Sequence, residues 1–195
     1  MLQEFAQQVE FTARTVMNDI HTALPGKIVS FDPEKGVAAV QPKGKYLTTD
    51  GASLAYPMIS SVPVAYPYCQ SSNVGMVFPI KTGDNCLIII SEVELDEWRS
   101  GAESEAPLRY DLTSAVVIPD LMLGGGTVIR KAAAENAVII VSGSSEIAVT
   151  DGRIAITGDV TVTGSMTIGG TITAGGINLN THTHTGVHGG TSGPH

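Results

Sequence analysis

The chain has 195 residues, a mass of 20.3 kDa and a formal net charge of −8 at pH 7. Because it lacks the excess of Lys and Arg that a phosphate backbone attracts, nucleic acid is excluded as an expected partner. Its longest apolar runs, of about five residues, are far shorter than the roughly 20 residues of a membrane-spanning helix, so no transmembrane helix is predicted.

Residues 1–24 are predicted to form an N-terminal helix that ends at Pro25-Gly26. Steps of three and four place one apolar stripe along this helix, formed by Leu2, Phe5, Val9, Ala13, Val16, Ile20 and Leu24. The stripe fits a helix packed on its own domain and fits equally well a helix that contacts the helix of a second chain. The sequence leaves both interpretations open.

Residues 25–119 are predicted to form a small all-β barrel of the OB type. Ile28–Phe31 and Val37–Val40 flank Asp32–Gly36, whose Pro and Gly suit a β-hairpin. Further short strands follow, with no helical period between most of them, at Val62–Ala65, Gly75–Phe78, Asn85–Ile90 and Ala115–Ile118. Glu92–Ser100 is predicted to be either a short helix or an extended loop.

The two cysteines, Cys69 and Cys86, have neither Cys-x-x-Cys spacing nor the density of a disulfide framework. Both are predicted to be buried free thiols. No redox function is therefore expected of them.

Residues 120–145 are predicted to supply transition strands and a linker. Thr127–Arg130 and Val138–Val141 have the composition of strands, and Ser142–Ser145 that of a turn. Gly124–Gly126 marks a break in the chain, but it lacks the spacing and the basic partner of a phosphate-binding loop.

Residues 146–180 contain a repeat of six residues. Written in sixes it reads Ile154-Ala-Ile-Thr-Gly-Asp, Val160-Thr-Val-Thr-Gly-Ser, Met166-Thr-Ile-Gly-Gly-Thr and Ile172-Thr-Ala-Gly-Gly. Because six is an even number, the apolar first and third positions of every unit share one face of a strand. A flexible Gly/Thr-rich linker would have no reason to keep apolar residues in phase, so ordered β structure is predicted.

The repeat is predicted to form an intertwined triple-stranded β-helix, a shaft made by three identical chains. Hexad periodicity is typical of β-helices, and one chain with so few units is too thin to enclose a core. Three chains wound about a common axis enclose one and leave no free sheet edge. The composition agrees, because no aromatic residue follows Tyr110 and residues 160–195 contain no Asp, Glu, Lys or Arg.

Four of the five histidines lie in residues 181–195, the predicted apex. His182 and His184 are two positions apart and therefore face the same side of a strand. Three chains around one axis would supply six imidazoles, enough for an octahedral structural site for iron, zinc, copper or nickel, although six ligands disfavour the tetrahedral closure typical of zinc. The alternative is a frayed tail with exposed histidines. His188 and His195 do not match the strand spacing and are predicted to have surface or loop roles.

The sequence contains neither a Gly-x-Ser-x-Gly elbow nor a phosphate-binding Walker motif. A metal hydrolase built on His182, His184 and His188 would need a carboxylate as base or ligand. The nearest, Asp159, lies at a position of the repeat that faces outward. The chain is therefore predicted not to be an enzyme.

Short motifs in a fixed order carry a family resemblance, namely Val29-Ser-Phe-Asp-Pro, Val40-Gln-Pro, Val62-Pro-Val, Phe78-Pro-Ile-Lys-Thr-Gly-Asp, Ser91-Glu and Arg109-Tyr-Asp-Leu-Thr-Ser-Ala-Val-Val-Ile-Pro. The segment that they span, Lys27–Pro119, resembles the N-terminal OB domain of the baseplate central spikes of contractile-tailed phages. The tail of the chain is similar to the apex of that family.

The resemblance implies a homotrimeric spike at the tip of the tail baseplate, made in the host cytoplasm and pushed through the host outer membrane when the sheath contracts. It implies that the OB domain docks on the baseplate hub protein. It also implies one iron ion per trimer, held by His182 and His184 of three chains, although another transition metal would also suit six imidazoles. A trimeric receptor-binding or adhesin fibre is the alternative function.

Overall fold

The computed structural model describes residues 2–18, 20–48, 51–103, 110–120, 124–187 and 189–190, which are mostly β structure with few helices. The chain divides into two compact units, Met1–Gly125 and Gly126–His195. The helices of the described part are α1 (Leu2–Asn18), α2 (Leu95–Arg99) and α3 (Thr127–Glu135). The strands, in chain order, are β1 (Ala23–Asp32), β2 (Val37–Pro42), β3 (Lys45–Leu47), β4 (Ser53–Ala55), β5 (Ile59–Pro63), β6 (Tyr68–Cys69), β7 (Val74–Gly75), β8 (Asn85–Ile90), β9 (Ala115–Pro119), β10 (Val138–Ser142), β11 (Ser145–Thr150), β12 (Arg153–Thr157), β13 (Thr173–Ala174), β14 (Ile177–Asn178), β15 (Thr185–Gly186) and β16 (Gly189–Gly190).

The first unit is organised around a five-stranded antiparallel sheet in the order β5-β2-β1-β8-β9. The sheet curls until its outer strands meet, where Val64 and Val117 form a parallel bridge and the Ala65 N–H donates to the Val117 carbonyl at 2.9 Å. Alternate strand residues point inward and form the core, which contains Ile28, Ala38, Val40, Ile59, Val62, Cys86, Ile88, Ile90, Ala115 and Val117. This curled half-barrel is compatible with the all-β class predicted.

The predicted hairpin after Phe31 is confirmed. β1 and β2 pair from Asp32 and Val37 onward, and the connecting turn is closed by the Asp32 carboxylate, which accepts from the N–H groups of Glu34 and Lys35. Gly36 follows with φ +65°, a conformation that favours glycine.

The bounds of the other strands predicted for this unit agree with the observed strands to different degrees. Asn85–Ile90 is confirmed at both ends, and Ala115–Ile118 extends by one residue to Pro119. The strand predicted at Val62–Ala65 exists but is shifted toward the N-terminus, since β5 begins three residues earlier, at Ile59, and ends two residues earlier, at Pro63. The prediction at Gly75–Phe78 was wrong beyond Gly75, where the short pair β6·β7 ends.

The N-terminal helix is confirmed, but it ends at Asn18, six residues before the predicted end at residue 24. Pro25 and Gly26, predicted to stop the helix, lie inside β1 instead. The pairing of β1 with β8 begins at Ala23, so sheet hydrogen bonds replace the last helical turn. A Cβ on Gly26 would lie 2.7 Å from Ile88 Cδ1, so this close approach to the core favours glycine.

The apolar stripe of α1 is exposed along its described length, at Phe5, Val9, Ala13, Val16 and, beyond the helix, Ile20. The single chain thus gives no support to a helix packed on its own domain. Contact with a second chain stays a prediction.

Of the two alternatives for Glu92–Ser100, the short helix is correct, since Glu94 caps α2 by accepting from the N–H groups of Asp96 and Glu97. None of the described helices is long and apolar enough to span a membrane.

In the second unit, the strand predicted at Thr127–Arg130 was wrong, because these residues begin α3. Locally Thr, Val and Ile favour a strand, but the run Lys131-Ala-Ala-Ala-Glu135 that follows is strongly helix-forming. Asn136 closes the helix in the left-handed conformation, with φ 49°.

The strand predicted at Val138–Val141 is confirmed as β10, and Ser142–Ser145 is the turn that leads into β11. β10, β11 and β12 form an antiparallel meander. Residues 158–172, which carry most of the repeat, contain no strand pairing within the single chain, and the two-residue pairs β13·β14 and β15·β16 follow.

The cysteines behave differently from one another. Cys86 is a buried free thiol, as predicted, and burial raises its pKa to about 11. The prediction for Cys69 was wrong, because Cys69 is exposed on the short β6·β7 hairpin. Its sulfur lies 3.3 Å from Ser71 Oγ, and this hydrogen bond is the main reason why the Cys69 pKa is lowered to about 7.

We expect a maleimide to label one thiol per chain, and Cys69→Ser to abolish the labelling. Because the thiolate is the reacting species and its pKa is about 7, the rate should rise about tenfold between pH 6 and pH 8. Stopped-flow labelling across this range, with mass spectrometry to locate the adduct, measures both effects. Labelling of Cys86 in the folded protein would contradict the burial.

Candidate functional site

The two histidines predicted to bind metal lie close together in the second unit. The ring centroids of His182 and His184 are 5.0 Å apart with the planes at 85°. The two imidazoles therefore lie side by side, although neither residue belongs to a strand, since β15 begins only at Thr185.

A compact turn before His182 positions this pair. The Asn178 carbonyl accepts from the N–H of His182 at 3.0 Å, and the Asn178 carboxamide oxygen accepts from the N–H of Asn180 at 2.9 Å. The Leu179 N–H donates to the Ile172 carbonyl at 2.9 Å, which ties the turn to the last hexad. These positioning residues were not predicted from the sequence, although an Asn that follows an apolar residue in a short polar segment is a frequent start of such turns.

The hydrogen bonding of His182 also selects a ring nitrogen for metal binding. His182 Nδ1 lies 3.0 Å from the Leu179 carbonyl oxygen. A carbonyl oxygen only accepts, so Nδ1 carries the proton and Nε2 keeps a lone pair. Metal-binding histidines commonly have this second hydrogen bond, because it fixes the tautomer and the ring orientation. The donor set therefore fits a transition-metal ion.

A single chain supplies only part of a closed site. Among the described residues, no group of three or more His, Cys, Asp or Glu side chains could hold a metal ion. After His184 the chain reverses through the pair β15·β16. His188 and His195, predicted to have surface or loop roles, lie outside the described residues.

The apolar positions of the repeat are exposed in the single chain. Val160, Val162, Met166, Ile168 and Ile172 keep between 37 and 64% of their accessible surface. The β13·β14 hairpin ends the repeat, with Gly175 and Gly176 both at positive φ in its two-residue turn. A row of exposed apolar side chains this long needs a covering partner.

Residues 24–120 match the sequence profile of the family described as "Phage protein Gp138 N-terminal domain". The match covers the whole of Lys27–Pro119, the segment that carried the predicted resemblance. No curated protein matches the chain.

Proposed function

Because residues 24–120 belong to the phage protein Gp138 N-terminal domain family, we propose that this chain is the central spike of a contractile phage tail or a related injection machine. This family supports a structural role for the chain in a phage particle. Within that role we propose a homotrimer whose shaft ends in a metal-bound apex and pierces the host outer membrane.

The observation that carries the proposal is the position of the His182–His184 pair. It follows directly after a repeat whose apolar residues are exposed in the single chain, and it lies within residues 160–195, which contain no Asp, Glu, Lys or Arg. A receptor-binding tip would be expected to present exposed aromatic contact residues, but residues 111–195 contain no Phe, Tyr or Trp.

The shaft is proposed to be an intertwined triple-stranded β-helix. The strand alternation of β12 places Ile154 and Ile156 on one face, and the hexad period continues that phase through Val160, Val162, Met166 and Ile168. Three copies turned about one axis would bury these rows against each other. The hydrophobic gain is about 25 cal/mol for each Å² of apolar surface removed from water.

At the apex, His182 and His184 of three chains would hold one iron ion through six imidazoles, and another transition metal would also suit them. The ion supplies a cross-link between chain ends and no catalytic chemistry. His182 contributes a ring already oriented by Leu179. The link would resist fraying at the point where a chain end otherwise opens first.

The proposed action is mechanical. A spike driven by sheath contraction has to enter the hydrocarbon without unfolding, and each charged side chain carried into it would cost a few kcal/mol. Residues 160–195 contain no such side chain. The curled half-barrel of the first unit is proposed to be an OB-fold barrel that docks on the baseplate hub.

Electron microscopy of phage particles that carry this chain tests the proposal against the fibre alternative. With a gold-labelled antibody to the chain, we expect label on the tail axis at the distal tip of the baseplate. Label on peripheral fibres would contradict the spike and favour an adhesin. Particles with the gene disrupted serve as the labelling control.

A further inference from the structure

The meander β10–β12 has two faces of different character. Its register places Val138, Val149 and Ile154 in one cross-strand row, and Ile140, Ile147 and Ile156 in the next. Both rows lie on the same face because they are two residues apart on every strand. We call these six residues the ladder face. The opposite face carries the rows of Ala148 and Glu146.

Helix α3 covers the opposite face. Lys131 Nζ of α3 donates to Glu146 Oε1 at 2.5 Å, and this hydrogen bond raises the pKa of Lys131. Ala148, in the neighbouring row of the same face, is only 5% exposed. Helix α3 therefore covers the face of the meander that lies opposite the ladder face.

The ladder face itself is left open in the described part of the second unit. Its six Val and Ile side chains are between 38 and 68% exposed. Monomeric proteins rarely expose a contiguous apolar patch of more than a few hundred Å². A β surface made only of Val and Ile is also an aggregation hazard when left open. The face therefore requires a partner.

We propose that the ladder face packs against the ladder faces of two further copies of this chain, forming a three-sided collar at the base of the shaft with α3 on its outside. The inference rests on the proposed trimer and extends its interface from the hexads, which begin with Ile154, to the preceding strands β10 and β11. It assigns the meander to the trimer interface, where the sequence analysis placed part of it in a linker.

The fit to a second copy comes from continuity with the repeat. Val160, the first residue of a hexad, lines one groove of about 370 Å³ together with Ile140, Ile147 and Ile156. The ladder face thus passes into the repeat without a break, and a partner that covers one also covers the beginning of the other. A three-fold contact brings equivalent residues of the three chains together. Because the six ladder residues are uncharged, the ladder faces of identical copies do not repel each other.

A pair of neighbouring cysteine variants tests the collar in the full-length chain. In a Cys69→Ser background, Ile154→Cys places a thiol on the ladder face, and Arg153→Cys places one on the opposite face of the same strand. With a short bis-maleimide we expect Ile154→Cys to give a cross-linked band of about 41 kDa (2 × 20.3). Since a linker joins two of three thiols, the band should hold up to two-thirds of the chains.

Arg153→Cys should react with a mono-maleimide but give no cross-linked band above background. Ile156→Cys is a second ladder variant and should behave as Ile154→Cys does. A trimeric mass with no cross-link at either ladder position would overturn the collar and leave the proposed spike standing. Equal cross-linking at Arg153→Cys and Ile154→Cys would overturn it too, whereas a monomeric mass would refute the trimer itself.

Discussion

Replacing His182 and His184 together by alanine is expected to reduce bound metal from one ion per three chains to background. Each chain would lose both of its proposed ligands, and the described residues contain no group of three or more ligating side chains that could replace them. The variant should stay trimeric, because the apolar rows of the shaft are untouched. Elemental mass spectrometry of the purified protein, normalised to chain concentration, measures the loss.

The matched control is His21→Ala, which removes the one described histidine outside the apex, where its ring packs edge-on against Tyr56. This variant should keep the full metal content. Leu179→Pro is avoided as a control because it would disturb the turn that orients His182. Retention of all the metal in the double variant would refute the proposed site.

An aspartate at Val162 is expected to convert the trimer into single chains, a threefold fall in mass. Three copies would bring three carboxylates to one level of the shaft interior, where each buried ion costs several kcal/mol and has no cation to pair with. Val162 is 47% exposed in the single chain, so the substitution carries little cost before assembly. Light scattering at matched concentration gives the mass.

Thr161→Asp is the control for this variant, because it adds the same charge one residue away on the opposite phase of the repeat. It should remain trimeric. If Val162→Asp assembled as well as Thr161→Asp, the apolar face of the hexads would not form the interface. The β-helix would then have to be abandoned even if the protein proved to be trimeric.

The elements best predicted from the sequence are those whose signal is local. Asn85–Ile90 is an apolar strand bounded by a turn, and the structure reproduces both of its ends. At Thr127–Arg130 the local preference for a strand lost to the helix-forming run that follows, which shows that a short β-branched segment takes its structure from its neighbours. At Pro25-Gly26 long-range pairing with β8 overrode a helix stop signal.

In the candidate site, too, some features follow from the local sequence and others depend on contacts with neighbouring segments. The spacing of His182 and His184 predicted two rings on one side of a strand, and the rings do lie together, although β15 begins only at Thr185. The Nδ1 hydrogen bond to Leu179 depends on a turn held by Asn178 and could not be inferred from spacing. The covering of the meander by α3 was also missed, since it depends on a helix that the sequence analysis had predicted to be a strand.

The mass of the unmodified protein in solution, measured by light scattering together with its metal content, tests the central claim most directly. A homotrimeric spike predicts about 61 kDa (3 × 20.3) and one metal ion for every three chains. A mass of 20.3 kDa, that of one chain, would contradict the trimer and with it the shaft, the apex site and the collar.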